Sequence, residues 1–299
     1  MTGGGPSISI AMPFYNCRGT LAQAVRSIRL QSLPEWELLL IDDGSTDGSL
    51  DLARSFGDRR LRVLSDGEHK GLSARLNQAI QLAEGQYLAR MDADDIAYPR
   101  RFELQLEYTQ HHPDVDLVGA RSLVFTSDGR VLGKRESPES HEAICARPWS
   151  GFRLGHPTYF GRLEWFKRYG YRVDALRCED QDLLLRSYRY SRLANVPSVL
   201  LGYREDVLKL RGMALGRFCY VRSLLHESFA RRKPSPAIRG LVEHALKLGI
   251  DCLAVSSGLD HRILRQRACP ASVAEVNDWL AVWQLVNGGG VIPESVPCD

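Results

Sequence analysis

The sequence predicts an α/β protein: a mostly parallel sheet covered by helices on both faces, followed by a helical carboxyl-terminal appendage. Three observations carry this. Short apolar runs alternate with stretches of helical periodicity as far as His112, the pattern of strand–helix–strand units. The second run, Trp36 to Ile41, is apolar at almost every position, as a strand buried on both faces requires. Beyond Arg204 the pattern is helical. At 299 residues the chain is long for one compact domain and short for three, so we expect a main domain over 1–203 and a helical region over 204–299.

Ile8 to Ala11 makes the first strand, and Leu21, Ala24, Val25 and Ile28 share one face of the helix behind it. Trp36 to Ile41 is the second strand. It runs into Asp42-Asp43-Gly44-Ser45-Thr46-Asp47, a turn rich in helix-capping residues, with a helix over Leu50 to Phe56. Leu61 to Leu64 is the third strand, and Leu72, Leu76, Ala79, Ile80 and Ala83 mark a helix with Gly85 expected as its C-cap. Tyr87 to Met91 is the fourth strand and leads into Asp92-Ala93-Asp94-Asp95. Pro99 is expected to open a helix lasting to about His112. Val118–Phe125 and Gly129–Gly133 read as a hairpin turning at Ser127 to Gly129. Helices follow near Glu164–Tyr169 and Asp180–Tyr190, then a strand at Val199–Gly202. After Arg204 the helical stretch is interrupted at Pro234 and Pro236. It ends with Val276, Trp279, Leu280 and Trp283 on one face and a Gly288-Gly289-Gly290 tail. No repeat of solenoid period is present.

Composition excludes whole classes. With 44% hydrophobic and 25% charged residues the chain is neither disordered nor low-complexity. A net charge of +3 gives no global argument for nucleic acid. Seven scattered cysteines without a C-x-x-C pair argue against a disulfide framework or a zinc knuckle and fit a reducing cytosol. Met1 to Ser7 lacks the basic and apolar segments of a signal peptide, and no stretch reaches the ~18 apolar residues of a membrane span. The expectation is a cytoplasmic protein.

In open α/β sheets ligands bind beyond the carboxyl ends of strands. Two acidic groups fall there: Asp42 and Asp43, and Asp92, Asp94 and Asp95. Either could merely cap the next helix. Together they favour a metal and nucleotide site, because gathered carboxylates repel unless a cation sits among them, and oxygen ligands suit Mg²⁺ or Mn²⁺. A third group, Cys178-Glu179-Asp180-Gln181-Asp182, opens a helix. Spacing alone does not choose between charge complementing the helix dipole and a general base.

Several segments now occur in a telling order: Met12-Pro13-Phe14-Tyr15-Asn16, Ile41 to Asp47, Lys70-Gly71-Leu72-Ser73-Ala74, Met91 to Asp95, Gly155-His156-Pro157 and Glu179 to Leu183. In this the chain resembles the family 2 glycosyltransferases, inverting enzymes of the GT-A fold, over roughly residues 7 to 203. The resemblance implies a Rossmann-like GT-A domain that binds a nucleotide-sugar donor. It implies that Pro13 and Tyr15 line the nucleotide pocket, that Asp43 bonds the base edge, and that Lys70 lies in the segment facing the nucleotide. Asp92 would touch ribose or sugar, and Asp94 would ligate Mn²⁺ or Mg²⁺ at the diphosphate. Asp180, beside Glu179, corresponds to the catalytic base; His156 would stand near the acceptor, and Arg186 would support the acidic loop or reach phosphate. The acceptor is expected to be a glycan or lipid-linked hydroxyl, and the donor nucleotide UDP, the commonest among relatives, with GDP and dTDP left open.

Other readings stay beside these. Tyr15 could simply pack, His156 could be only a turn residue making a backbone contact, Cys178 has nothing nearby to favour its thiolate, and Trp279 with Trp283 reads as core. A sugar-nucleotide nucleotidylyltransferase would want a glycine-rich basic loop where Pro13 to Gly19 stands, and a non-catalytic nucleotide-sugar-binding protein would not need the acidic pair. Residues 204 to 270 carry thirteen Lys or Arg against six Asp or Glu, a local +7 that leaves −4 for the rest. Such a basic amphipathic region suits an anionic membrane surface, a helical appendage packed on the main domain, or a second subunit in a homo-oligomer. No recognition motif accompanies the cations, so nucleic acid is not expected.

Overall fold

The first four apolar runs become β1 (Ile8–Phe14), β2 (Trp36–Asp42), β3 (Leu61–Leu64) and β4 (Tyr87–Arg90) in a computed structural model that describes residues 6–135, 137–206, 210–257 and 269–288. Between them lie α1 (Leu21–Arg29), α2 (Ser49–Ser55) and α3 (Leu72–Leu82). Every residue of β1 and β2 is buried, as expected of strands covered twice. Successive side chains leave a strand on opposite faces. Ile10, Met12, Leu38 and Leu40 therefore join Val25 and Ile28 of α1 in one core cluster. Ala11, Leu39 and Ile41 join Leu76, Ala79 and Ile80 of α3 in another.

The second half adds β5 (Ile96–Ala97), α4 (Arg101–His111), β6 (Leu117–Phe125), β7 (Val131–Lys134), α5 (His141–Ile144), β8 (Phe160–Arg162), α6 (Leu163–Tyr169), α7 (Glu179–Ser187) and β9 (Leu193–Arg204). The sheet runs β3-β2-β1-β4-β8-β6-β9-β5, with β7 beside β6. Pairing is parallel from β3 through β4. Beyond β4 it is mixed: β8 lies antiparallel to β4 and β6, while β6 and β9 are parallel.

Several boundaries differ from expectation for local reasons. The strand expected at Val199–Gly202 begins at Leu193. Pro197 broke the apolar run, yet Ala120 pairs with Val196 and Arg121 with Val199, so Pro197 and Ser198 are passed over in a register shift. Gly85 is not a left-handed cap: α3 ends at Ala83 in extended backbone. A Cβ on Gly85 would stand 2.7 Å from the Ser9 nitrogen, so the glycine serves close packing on β1. Pro99 precedes its helix by two residues, since Arg100 is the N-cap.

The chain continues with α8 (Leu210–Ala230), α9 (Ser235–Ser256) and α10 (Val273–Gly288). Pro234 and Pro236 fall at the break and in the first turn of α9, where a missing N–H costs nothing. On α10 the buried row is Trp279, Val282 and Val286, whereas Leu280 is 46% exposed, a correction to the expected face. Trp279 is fully buried against Phe125, ring centroids 4.4 Å apart, and its Nε1 donates to the Gly129 carbonyl at 2.8 Å. The hairpin of β6 and β7 is thus pinned by α10. Gly289 and Gly290 lie outside the described residues, as do Lys209, Asp260, Arg262, Arg265 and Arg267 of the basic region. The six described cysteines are free thiols, and no helix among the described residues is long and apolar enough to cross a membrane.

Candidate active site

Because β2, β1 and β4 are parallel neighbours, their carboxyl ends open on one edge: Phe14 pairs with Asp42, and Ala11 with Arg90. The residues just past those ends line a cleft of about 590 Å³. Pro13, Tyr15, Asp43, Asp92, His156, Glu179 and Asp180, all expected from sequence, lie in its wall.

Asp42 and Asp43 divide the work of their turn. Asp42 is buried and accepts from the Ser45 N–H at 3.0 Å and the Ser65 hydroxyl at 2.8 Å, which fixes the turn. Asp43 gathers donors from the next loop: the N–H groups of Lys70 and Gly71 at 2.8 and 3.0 Å, and Arg75 Nε at 2.8 Å. The His69 ring nitrogen stands 3.0 Å away. Arg75 is 1% exposed and also binds Asp66 at 2.6 Å, so it straps the 66–71 loop to the strand end. Lys70 does not line the cleft. Its Nζ turns to Asp66 at 2.7 Å and Glu68 at 3.1 Å, and only its backbone N–H serves the site. Tyr15 is half exposed, its ring centroid 4.5 Å from that of His69.

Arg90 ends β4 fully buried, and its guanidinium grips Asp92 with two parallel bonds, 2.8 and 2.5 Å. This orients the Asp92 carboxylate into the cleft. Arg101, also buried, donates to the carbonyls of Arg90 and Pro157 at 2.7 and 2.8 Å and so ties β4 to the His156 segment. Burial pulls the Arg101 guanidinium down to about 9. His156 Nε2 stands 3.0 Å from the Tyr171 hydroxyl, and burial with the Arg90 charge keeps the imidazole well below its usual range, hence neutral.

Asp92, Asp94 and Asp95 each offer a carboxylate oxygen, all within 4.8 Å of one another. Asp94 is outside the cleft wall, at its exposed edge. Loss of water around its carboxyl group, then the Asp92 charge, lifts its acid to about 6. Asp95 accepts from the Arg204 N–H at 3.0 Å, but its Oδ2 is buried without a partner. An orphaned buried oxygen among mutually repelling carboxylates fits a hard divalent cation.

At the other wall, α7 presents Glu179 and Asp180. Gln181 Nε2 donates to Asp180 Oδ2 at 2.8 Å, while burial raises the pKa of both acids from its ordinary value. Arg186 is engaged behind them: it bonds Asp182 at 2.8 Å and the carbonyls of Tyr169 and Gly170, so it braces α7 and is not part of the cleft wall. Cys178 is buried in the core, where burial pushes its thiol up, in keeping with packing.

Sequence reasoning missed Arg75, Arg90, Tyr171 and Tyr203, although all line the cleft or fix its wall. Two of them left a signal. Arg75 interrupts the apolar face of Leu72, Leu76 and Ala79, and Arg90 ends a buried strand; a buried cation demands a partner.

The sequence model of the family described as Glycosyl transferase family 2 matches residues 9–171. Among curated proteins, EpsE of Bacillus subtilis (strain 168), which bears a provisional glycosyltransferase name, is 38% identical over 210 residues, 68% of this chain and 74% of its own. WfgD of Escherichia coli is named a UDP-Glc:alpha-D-GlcNAc-diphosphoundecaprenol beta-1,3-glucosyltransferase. It is 29% identical over 132 residues, 44% of this chain and 51% of its own. Among solved structures, the Staphylococcus aureus TarS 1–349 fragment with UDP-GlcNAc superposes with a TM-score of 0.57 at 17% identity, over 95% of this chain and 92% of that one. The Pyrobaculum calidifontis mannosyltransferase PcManGT, solved with GDP-Man and Mn²⁺, gives 0.58 at 16% identity over 96% and 88%. At these identities the structures bear on the fold, which is the GT-A fold of glycosyltransferases.

Proposed function

The chain belongs to glycosyl transferase family 2, and on that premise we propose that it moves a sugar from a UDP-sugar to a hydroxyl of a glycan or lipid-linked acceptor, with inversion. The observation that carries the reading is the position of Asp180. It lies in the wall of the cleft at the strand ends and also in the wall of a second cavity. An anomeric carbon held in the first can then meet a hydroxyl delivered from the second.

In this reading Pro13, Tyr15 and the Asp43–Gly71 turn cradle the nucleoside, and Asp92, held by Arg90, meets the ribose or sugar. Asp94, with Asp92 and Asp95 beside it, would hold Mn²⁺ or Mg²⁺. Bound there, the ion supplies charge neutralisation to the departing diphosphate. Asp180 takes the proton of the acceptor hydroxyl; the oxygen bonds to the anomeric carbon as the bond to the diphosphate breaks. A neutral His156 can share a hydrogen bond in the cleft without opposing the charge change on Asp180.

Asp180→Asn is the test. It should keep nucleoside diphosphate affinity while turnover falls about a thousandfold, the upper range for losing a general base. Normal turnover overturns the assignment, and Asp94→Ala with undiminished metal-dependent donor binding overturns the ligand. We also propose a cytoplasmic chain divided near residues 203 and 204, docked peripherally on anionic membrane through 204–270.

A further inference from the structure

The second cavity at Asp180, of about 690 Å³, is walled by Arg135, Arg153, Arg177, Arg217, Lys247 and His244, with Asp180 the one lining carboxylate among the described residues. Three cations are tied to acids that are not part of the wall: Arg135 to Glu205 at 2.5 Å, Arg217 to Asp251 at 2.5 Å, and Lys247 to Glu243 at 2.7 Å. Those acids fix positions and leave donors over. Arg217 gives Nη2 to Asp251 while its Nε is buried without a partner. His244, 8% exposed, faces the Trp149 carbonyl through Nε2, and its Nδ1 is likewise buried and unpartnered. Arg177 makes no ion pair among the described residues and is exposed.

One guanidinium suffices for a carboxylate. Four guanidinium groups and an ammonium around one space match a group with more charge and more oxygens, and planar guanidinium forks suit phosphate. We propose that the acceptor carries a phosphate or diphosphate ester, and that this cavity seats it while the hydroxyl to be glycosylated rests at Asp180. The proposal rests on the glycosyltransferase reading above. A lipid diphosphate and a water-soluble sugar phosphate offer the same chemistry.

The probe is inorganic pyrophosphate, titrated calorimetrically into the full chain with EDTA present so that no metal-assisted binding in the donor cleft contributes. Binding below about 1 mM is expected, weakened at least about tenfold in the double variant Arg153→Gln and Lys247→Gln. Neither residue lines the donor cleft, so metal-dependent nucleoside diphosphate binding should persist and report a folded chain. Asp94→Ala should leave pyrophosphate binding intact. No binding at millimolar pyrophosphate, equal binding by the double variant, or loss in Asp94→Ala overturns the proposal. If the unaltered chain binds no nucleoside diphosphate with metal, it is the glycosyltransferase reading that falls, whatever pyrophosphate does. Competition by a soluble sugar diphosphate and by its farnesyl-linked form separates the sources: equal potency means the charged group alone is read, and a stronger lipid form means the chain is read too.

Discussion

Arg90 and Asp92 form a two-pronged pair at the point where β4 opens into the cleft, and the pair sets what the aspartate can do. A lysine at position 90 would keep the charge but lose the planar fork. Arg90→Lys should therefore weaken nucleotide-sugar binding about tenfold, roughly 1.4 kcal/mol, with the fold retained; calorimetry on the variant decides, and unchanged affinity would leave Asp92 without its positioning partner. Asp180 makes a second claim at this scale. Burial raises its proton affinity, and a general base works only when deprotonated, so kcat/KM should fall as pH drops through a value above the ordinary ~3.9 of aspartate. An acid limb at or below ~3.9 would contradict that. Such pairings explain what sequence could and could not disclose. The carboxylates are visible because acids at strand ends are conspicuous. Lys70 was expected in the segment facing the nucleotide, but Asp66 and Glu68, close by in the same loop, take its ammonium, and no spacing rule says where a flexible side chain finds its acceptor.

Among elements, legibility followed length. The long apolar runs and the helices between them were readable because many residues repeat one period. β5 and β8, of two and three residues, carry no period at all and exist because longer neighbours offer them an edge. β9 was expected only over Val199–Gly202; it reaches back to Leu193 because the register shift carries the pairing past Pro197. Its Gly202 was read merely as a strand end. A Cβ there would collide with the Trp279 ring, so Gly202→Ala should destabilise by about 1–3 kcal/mol through overpacking, and Trp279→Phe should restore part of it. An unaltered melting temperature would mean that α10 does not pack there. Glu243 gives the corresponding test for α9. Against the upward push of burial, bonds from Lys247 and Ser150 hold its acid down to about 2, below the usual 4.5. A depressed folded value stabilises above the unfolded value and is lost as pH falls. Glu243→Gln should thus lower the melting temperature at pH 7 by a degree or more, with the difference shrinking from about pH 4.5 toward 2. A gap that holds constant with pH would rule out the ionic tie.

On the scale of the whole molecule, the near-neutral total of +3 conceals where charge and apolar surface are placed. Helical period shows that α9 has an apolar face, but not which way it points. It points outward: Ile238, Leu241, Val242, Leu246, Ile250 and Leu253 recur at helical spacing and are each more than half exposed, as are Phe218 and Phe229 of α8. The three acids of the two helices are turned inward and paired, Glu227 with Arg231, Glu243 with Lys247 and Asp251 with Arg217. Arg211, Arg222, Arg232, Lys233 and Arg239 remain exposed. An exposed apolar stripe accompanied by exposed cations suits an anionic bilayer, where each well-placed cation adds about 1 kcal/mol. Against a second copy of itself the same face would set cation against cation. The chain should float with phosphatidylglycerol vesicles at low salt and not with phosphatidylcholine. Leu246→Glu with Ile250→Glu, or 0.5 M salt (a Debye length of about 4 Å), should abolish flotation. Failure to float at low salt, or a dimer in solution that the double variant dissociates, would assign the stripe to protein contact instead.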